Sequence, residues 1–206
     1  MKKLPEKTVE RLSQYRRILL ETKKKEKFYI FSHELASLAH STAVQVRRDI
    51  MLLGCQSKQK KGYDIQELIT TITELIDSRK GLNVAIVGMG NLGKAIAAYF
   101  MGKTSKLSIV AGFDVEENKI ERMISGVKCF HINKLQEIIQ NLNISIAILT
   151  IPPDQAHIVT ESLIQSGIKG IINYTANPIN VPPHIHLEEH DILTFLEKTA
   201  YFVKMN

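Results

Sequence analysis

Residues 83–100 read NVAIVGMGNLGKAIAAYF: an apolar run, a glycine-rich break, then an alanine-rich segment. The first part suits a buried strand and the last a helix, so the break is a strand-to-helix turn. Gly88, Gly90 and Gly93 set the pattern G-x-G-x-x-G. Gly88 permits a tight turn, Gly90 lets a pyrophosphate approach the backbone, and Gly93 lets the helix lie close on the strand. The N–H groups that open the helix offer partial positive charge to phosphates. Asp114 ends the next strand, 21 positions after Gly93. A carboxylate there accepts from ribose hydroxyls and repels a 2′-phosphate, which favours NAD(H) over NADP(H). The candidate cofactor contacts are Gly88, Gly90, Asn91, Leu92, Gly93, Asp114 and Thr150, the last at the end of a buried strand over 144–151.

Outward from this turn the chain alternates strands and helices. LSIVAGFDV (107–115), ISIAILTI (144–151) and IKGIINYT (168–175) read as further strands, and DQAHIVTESLIQSG (154–167) as a helix. Alternation at this spacing predicts a parallel, Rossmann-like sheet with right-handed crossovers. DILTFLEKTAYFVKMN (191–206) closes the chain as a helix with Ile192, Phe195, Leu196, Thr199 and Val203 on one face, widened by Leu193 and Phe202. So broad an apolar face must pack on its own sheet or on another subunit.

Upstream the pattern is helical and basic. Residues 1–80 carry 17 Lys and Arg against 10 Asp and Glu, whereas residues 81–206 carry 10 against 11. The whole excess of positive charge therefore lies in the first part, which suits a polyanion. Residues 5–24 form an amphipathic helix carrying Val9, Leu12, Ile18 and Leu19. FYIFS (28–32) is a short strand whose Ser32 caps a second helix with Leu35 and Leu38. After a turn at 40–41, TAVQVRRDIMLLG makes a third helix that ends at Gly54. CQSKQKKGYDI (55–65) suits a hairpin or wing, and residues 65–77 a fourth helix. Helix, turn and helix over 32–54 predict a reading head for double-stranded DNA. Ser41, Thr42, Gln45, Arg47 and Arg48 supply donors on its third helix, and Lys58, Lys60 and Lys61 on the wing reach phosphates or a minor groove. The domains are then 1–78, a winged helix; 79–190, a dinucleotide-binding domain; and 191–206, the closing helix.

Bulk properties limit the classes. The 206 residues contain no apolar run of the roughly 18 needed to span a membrane. MKKLPEKTVERL has no apolar core of a secretory signal, so a cytoplasmic location is expected. Cys55 and Cys129 are isolated and suit unpaired thiols, and no metal site is expected; HIH at 184–186 reads as surface. Little chain remains beyond the nucleotide-binding part to build a substrate pocket.

Several stretches resemble the bacterial redox-sensing repressor family Rex, in the same order along nearly the whole chain: LPEKTVERLSQYRRIL, TAVQVRRDI, GKAIAAY, VAGFDV, GIKGIINY and HDILTFLEKTAYFV. The resemblance implies a homodimer of α/β class, with a winged-helix domain, a Rossmann domain and a C-terminal helix swapped into the partner. It implies release from operator DNA when NADH binds, with no catalysis, and places Tyr99 and Asp191 at the nicotinamide pocket, Asp191 approaching that of the partner and Arg16 of an N-terminal helix. The chain departs from the family at the wing. Leu52 and Leu53 replace aromatic residues, Ser57 a glycine and Gln59 an arginine, while Lys60 and Lys61 restore charge. Thr175, Ala176 and Asn177 alter a segment that the family keeps near the nicotinamide. Two other readings stay open here: a small NAD-dependent oxidoreductase with a basic dimerisation bundle, and a Rex-like repressor without redox response.

Overall fold

The computed structural model describes residues 4–57, 61–78, 80–102 and 106–205. The chain divides into two compact units, Met1–Arg79 and Lys80–Asn206.

The first unit packs α1 (Glu6–Lys24), α2 (Ser32–Leu38), α3 (Ala43–Leu52) and α4 (Ile65–Ile76) around one core, with β1 (Tyr29–Ile30) antiparallel to β2 (Tyr63–Asp64). Helix α1 turns Thr8, Leu12, Tyr15 and Leu19 inward and leaves Val9 exposed. The buried stripe thus runs through Tyr15 rather than through Val9, because the Tyr15 hydroxyl finds a partner inside. Ser32 is the first helical residue of α2 and not its cap. Glu34 reaches back to accept from the Phe31 N–H at 2.8 Å, which fixes Phe31 at the cap position. His40, with a φ of 48°, makes the turn, and Thr42 caps α3 by accepting from the Gln45 N–H at 3.1 Å. The strand after α3, Tyr63–Asp64, pairs with Tyr29–Ile30, which precedes α2, so its partner lies outside the stretch 55–65. Gly62 makes that pairing possible: at its φ of +85° an added Cβ would stand 2.5 Å from the Ile30 carbonyl oxygen.

The second unit is a seven-stranded sheet. In chain order its strands are β3 (Leu82–Val87), β4 (Leu107–Asp114), β5 (Met123–Ile124), β6 (Val127–His131), β7 (Ile144–Leu149), β8 (Gly170–Asn173) and β9 (His186–Glu189). Across the sheet they lie β5-β6-β4-β3-β7-β8-β9, parallel except for β5. Without β5 this is the order 3-2-1-4-5-6, with the reversal between β3 and β7 where such sheets bind dinucleotides. Helices α5 (Asn91–Phe100), α6 (Leu135–Asn141) and α7 (Ala156–Gln165) make crossovers. Strands β5, β6 and β9 add to those the sequence pattern predicts. HLEE of β9 is an edge strand without apolar alternation, so its periodicity is silent. Helix α8 (Ile192–Met205) buries no residue, and its apolar side chains Ile192, Phe195, Leu196, Phe202 and Val203 are 54–69% exposed. Among the described residues no helix is long and apolar enough to cross a membrane.

Candidate functional site

In the first unit, α3 shows two different faces. Val46, Asp49 and Ile50 are buried, while Val44, Arg47 and Arg48 are exposed. Arg47 Nη1 donates to Ser32 Oγ at 3.2 Å, across the helix–turn–helix. Thr42 and Gln45 are turned to structural work, Thr42 as the cap and Gln45 by donating from Nε2 to Asp49 Oδ1 at 3.0 Å. Ser41 is half-buried in the turn, and its N–H donates to the Ala36 carbonyl. On the wing, Lys61 is exposed with Nζ 5.8 Å from the centre of the Tyr29 ring. Lys58 and Lys60 lie outside the described residues.

Asp49 is the residue that sequence reasoning missed. It is 1% exposed, and Arg11 clamps it through Nε at 2.7 Å and Nη2 at 2.8 Å. Tyr15 Oη donates to it at 3.0 Å. Burial works against its charge, but the bonds from Arg11, Gln45 and Tyr15 outweigh burial and hold the carboxyl below the ordinary aspartate range. The arrangement ties α3 to α1. A signal was present: Asp49 lies between Val46 and Ile50 on the apolar face of α3, and Arg11 and Tyr15 stand one helical turn apart on α1. Arg16, on the same helix, pairs with Asp77 at 2.6 Å.

In the second unit, the glycine turn is built as its pattern requires. Gly88 has a φ of +99°, and a Cβ on it would strike the Thr150 carbonyl oxygen at 2.5 Å. A Cβ on Gly93 would stand 2.1 Å from the Gly88 oxygen, so only glycine lets α5 lie this close to the turn. Beside Gly90 a Cβ would meet nothing within 4 Å, and no side chain caps α5 there. Open space over uncapped helix N–H groups is what a pyrophosphate needs. Thr150 Oγ1 donates to the Gly88 oxygen at 2.7 Å and joins β7 to the turn.

These groups open on a cavity of about 1090 Å³ lined by Gly88, Gly90, Asp114, Glu116, Lys119 and Thr150, and on its far side by side chains of α6 and α7 such as Gln136 and Ser162. Asp114 is 9% exposed. Its Oδ1 accepts from the N–H groups of Val115 (2.8 Å) and Glu116 (3.0 Å), and its Oδ2 from the Met89 N–H and Lys119 Nζ, both at 2.9 Å. Burial disfavours its charge, but the Glu116 N–H and Lys119 prevail and keep it below the ordinary aspartate range. Asn91 and Leu92 are exposed in the first turn of α5, and Tyr99 is exposed further along it. None of the three lines this cavity. Asp191 caps α8, accepting from the Leu193 N–H at 3.0 Å and the Thr194 hydroxyl at 2.6 Å. It borders a smaller cavity of about 240 Å³ with Asn173, Thr175, Glu189 and Phe195. There Thr175 Oγ1 donates to Asn173 Oδ1 at 2.7 Å, which ties the altered 175–177 segment to the end of β8. Among the described residues no cluster of three His, Cys, Asp or Glu could hold a metal ion.

A winged helix with an outward basic face, in one chain with a nucleotide-cradling parallel sheet, defines a ligand-responsive DNA-binding regulator. Residues 79–177 match the family described as "CoA binding domain", and residues 3–50 the family described as "Putative DNA-binding protein N-terminus". The redox-sensing transcriptional repressor Rex of Bacillus licheniformis is 34% identical over 98% of this chain and 94% of its own length. That of Bacillus pumilus is 36% identical over 98% and 94%. A solved structure of RSP with β-NAD+ and operator DNA superposes with a TM-score of 0.91 at 30% identity, covering 100% of this chain and 94% of that one. RSP, a Rex-family repressor, has also been solved with β-NADH; that structure superposes at 0.85 and 29% identity, covering 100% and 96%. The chain belongs to the Rex family of redox-sensing transcriptional repressors.

Proposed function

We propose that this chain is a homodimeric repressor that binds double-stranded operator DNA and lets go when NADH occupies the glycine-turn cavity, with no catalytic turnover and a cytoplasmic place of work. The observation that carries the reading is the open, uncapped N-terminus of α5 beside Gly90, in a chain whose other unit points Arg47 and Arg48 outward. The domains act as 1–78 for DNA, 79–190 for the dinucleotide and 191–206 for the partner subunit. Gly88, Gly90 and Gly93, with the first N–H groups of α5, hold the pyrophosphate, and Thr150 braces the turn. Arg47 and Arg48 reach bases or phosphates, and Lys61 reaches phosphate. Helix α8, whose apolar face has no cover in its own chain among the described residues, docks on the partner subunit as in a swapped dimer. NADH shifts the dimer only as far as it binds one arrangement better than the other. NAD+ carries a positive ring charge that NADH lacks, so a site with apolar walls favours the reduced form.

The experiment is a titration of a labelled duplex, selected from random-sequence DNA by the protein itself, with and without each nucleotide. NADH should release the duplex at concentrations where NAD+ leaves it bound. Binding that NADH does not change would mark a repressor without redox response. The absence of any sequence-selected duplex would overturn the repressor reading.

A further inference from the structure

Asp114 has four acceptor positions, two on each oxygen, and the protein itself fills all four. A ribose hydroxyl can therefore reach this carboxylate only if one donor leaves. Three of the donors are backbone N–H groups. Met89 is fixed in the glycine turn, and Val115 and Glu116 directly follow the carboxylate in the chain. The fourth is Lys119 Nζ, at the end of a flexible stem. A short 3-10 turn over Glu117–Lys119 brings residue 119 back onto residues 114 and 116. Lys119 also has a second anchor, Glu116 Oε1 at 2.7 Å, that can keep its ammonium when Asp114 is taken. Asp114, Glu116 and Lys119 all line the same cavity. The Lys119 side chain is 13% exposed and that of Glu116 55% exposed, so the lysine is the more enclosed of the two movable groups. Burial works against the charge on Lys119, and its two carboxylate partners hold it above the ordinary lysine range.

Resting on the dinucleotide reading above, we infer that Lys119 sets the choice between a free and a 2′-phosphorylated adenosine ribose, and that Asp114 alone does not. The lysine is a displaceable occupant of the ribose-facing oxygen of Asp114. A ligand with free hydroxyls must move it toward Glu116. A 2′-phosphate meets a carboxylate already neutralised and an ammonium that can bond to it. The site thus discriminates against NADPH less than its bare acidic residue implies.

The test is calorimetric titration of the full chain with NADH and with NADPH. Lys119→Met should weaken NADPH by about tenfold or more, the loss of one charge-assisted contact, while NADH binds as well as before or better. The ratio of the two affinities should widen by at least that factor. Lys119→Arg keeps the cation and should keep the wild-type ratio. Glu116→Gln removes the second anchor and the nearest exposed carboxylate, and should narrow the ratio. An equal weakening of both nucleotides by Lys119→Met would make the lysine a mere prop for Asp114 and overturn the inference. Binding of neither nucleotide by the wild type would overturn the dinucleotide reading, and this inference with it.

Discussion

Each unit of this molecule buries one aspartate at the heart of its working element, and the two are satisfied in different ways. Asp49 and Asp114 are 1% and 9% exposed, and each accepts four hydrogen bonds, two per oxygen. All four donors to Asp49 are side-chain groups, from Arg11 and Tyr15 on α1 and from Gln45 on α3 itself. They join two helices, so the carboxylate works as a clamp between elements. Three of the donors to Asp114 are backbone N–H groups, and the fourth is a single lysine. That carboxylate shapes a loop and has one partner that can depart. A buried charge whose donors come from two packed helices serves the fold; one with a single side-chain donor beside a cavity can also serve a ligand.

The largest effect expected from this contrast is on Asp49→Ala. Removing the acid leaves the Arg11 guanidinium and the Tyr15 hydroxyl without their common partner. Arg11 is 26% exposed and regains some water, so the loss lies near the lower end for a broken buried pair, about 3 kcal/mol. Urea unfolding of the full chain measures it, and binding to the selected duplex should fall together with stability. Asp114→Asn should do less. The amide keeps an oxygen for Val115 and Glu116, but its NH2 cannot accept from Met89 or Lys119. One N–H then loses its partner, which costs about 1–2 kcal/mol in the same unfolding measurement. Equal losses in the two variants would remove the distinction between clamp and loop organiser.

The sequence displays these two carboxylates unequally. Asp114 announces itself, because it follows a strand at a set distance from G-x-G-x-x-G. Its donors do not, since three are backbone groups and the fourth depends on the 3-10 turn that folds Lys119 back. Asp49 sits inside RRDI and reads there as one more charge on a basic helix. Only the pairing of α1 with α3, a contact between residues 38 apart in the chain, gives it a role. The strands show the same division. β3 and β7 are apolar but for Asn83 and Ser145 and are legible, whereas β9, with two glutamates and a histidine, forms only because β8 lies alongside to pair with it. The wing was legible as a basic, irregular stretch and FYIFS as a short strand, but their pairing was not, because a two-residue strand such as Tyr29–Ile30 carries no periodicity that names its partner. The apolar face of α8 was legible, since a helix of known register displays its stripe without any neighbour, but whether its own sheet covers it was not.

The smallest effect separates holding the reading helix from touching DNA. Lys61 is exposed on the wing just before β2, and its neighbour Gly62 is pressed against the Ile30 carbonyl, so the backbone there is placed by β1 and not by the lysine. The only fold contact of its ammonium among the described residues is the loose one to the Tyr29 ring at 5.8 Å. At an exposed site such a contact is worth about 0.5 kcal/mol, and Lys61→Ala should change stability by no more than that. Its effect on DNA has a different signature. A lysine on phosphate displaces a condensed counterion, so log affinity falls with log salt by close to one unit of slope per contact. Lys61→Ala should therefore bind more weakly at low salt, keep its sequence preference, and lose about one unit of slope. Asp49→Ala, in contrast, should lose affinity at every salt concentration, because the helix that carries Arg47 and Arg48 is no longer held. Affinities of the wild type and both variants across a salt series make the comparison. A Lys61→Ala protein with the full wild-type slope would mean that this lysine touches no phosphate, and that the contacts of the first unit are made by α3 without it.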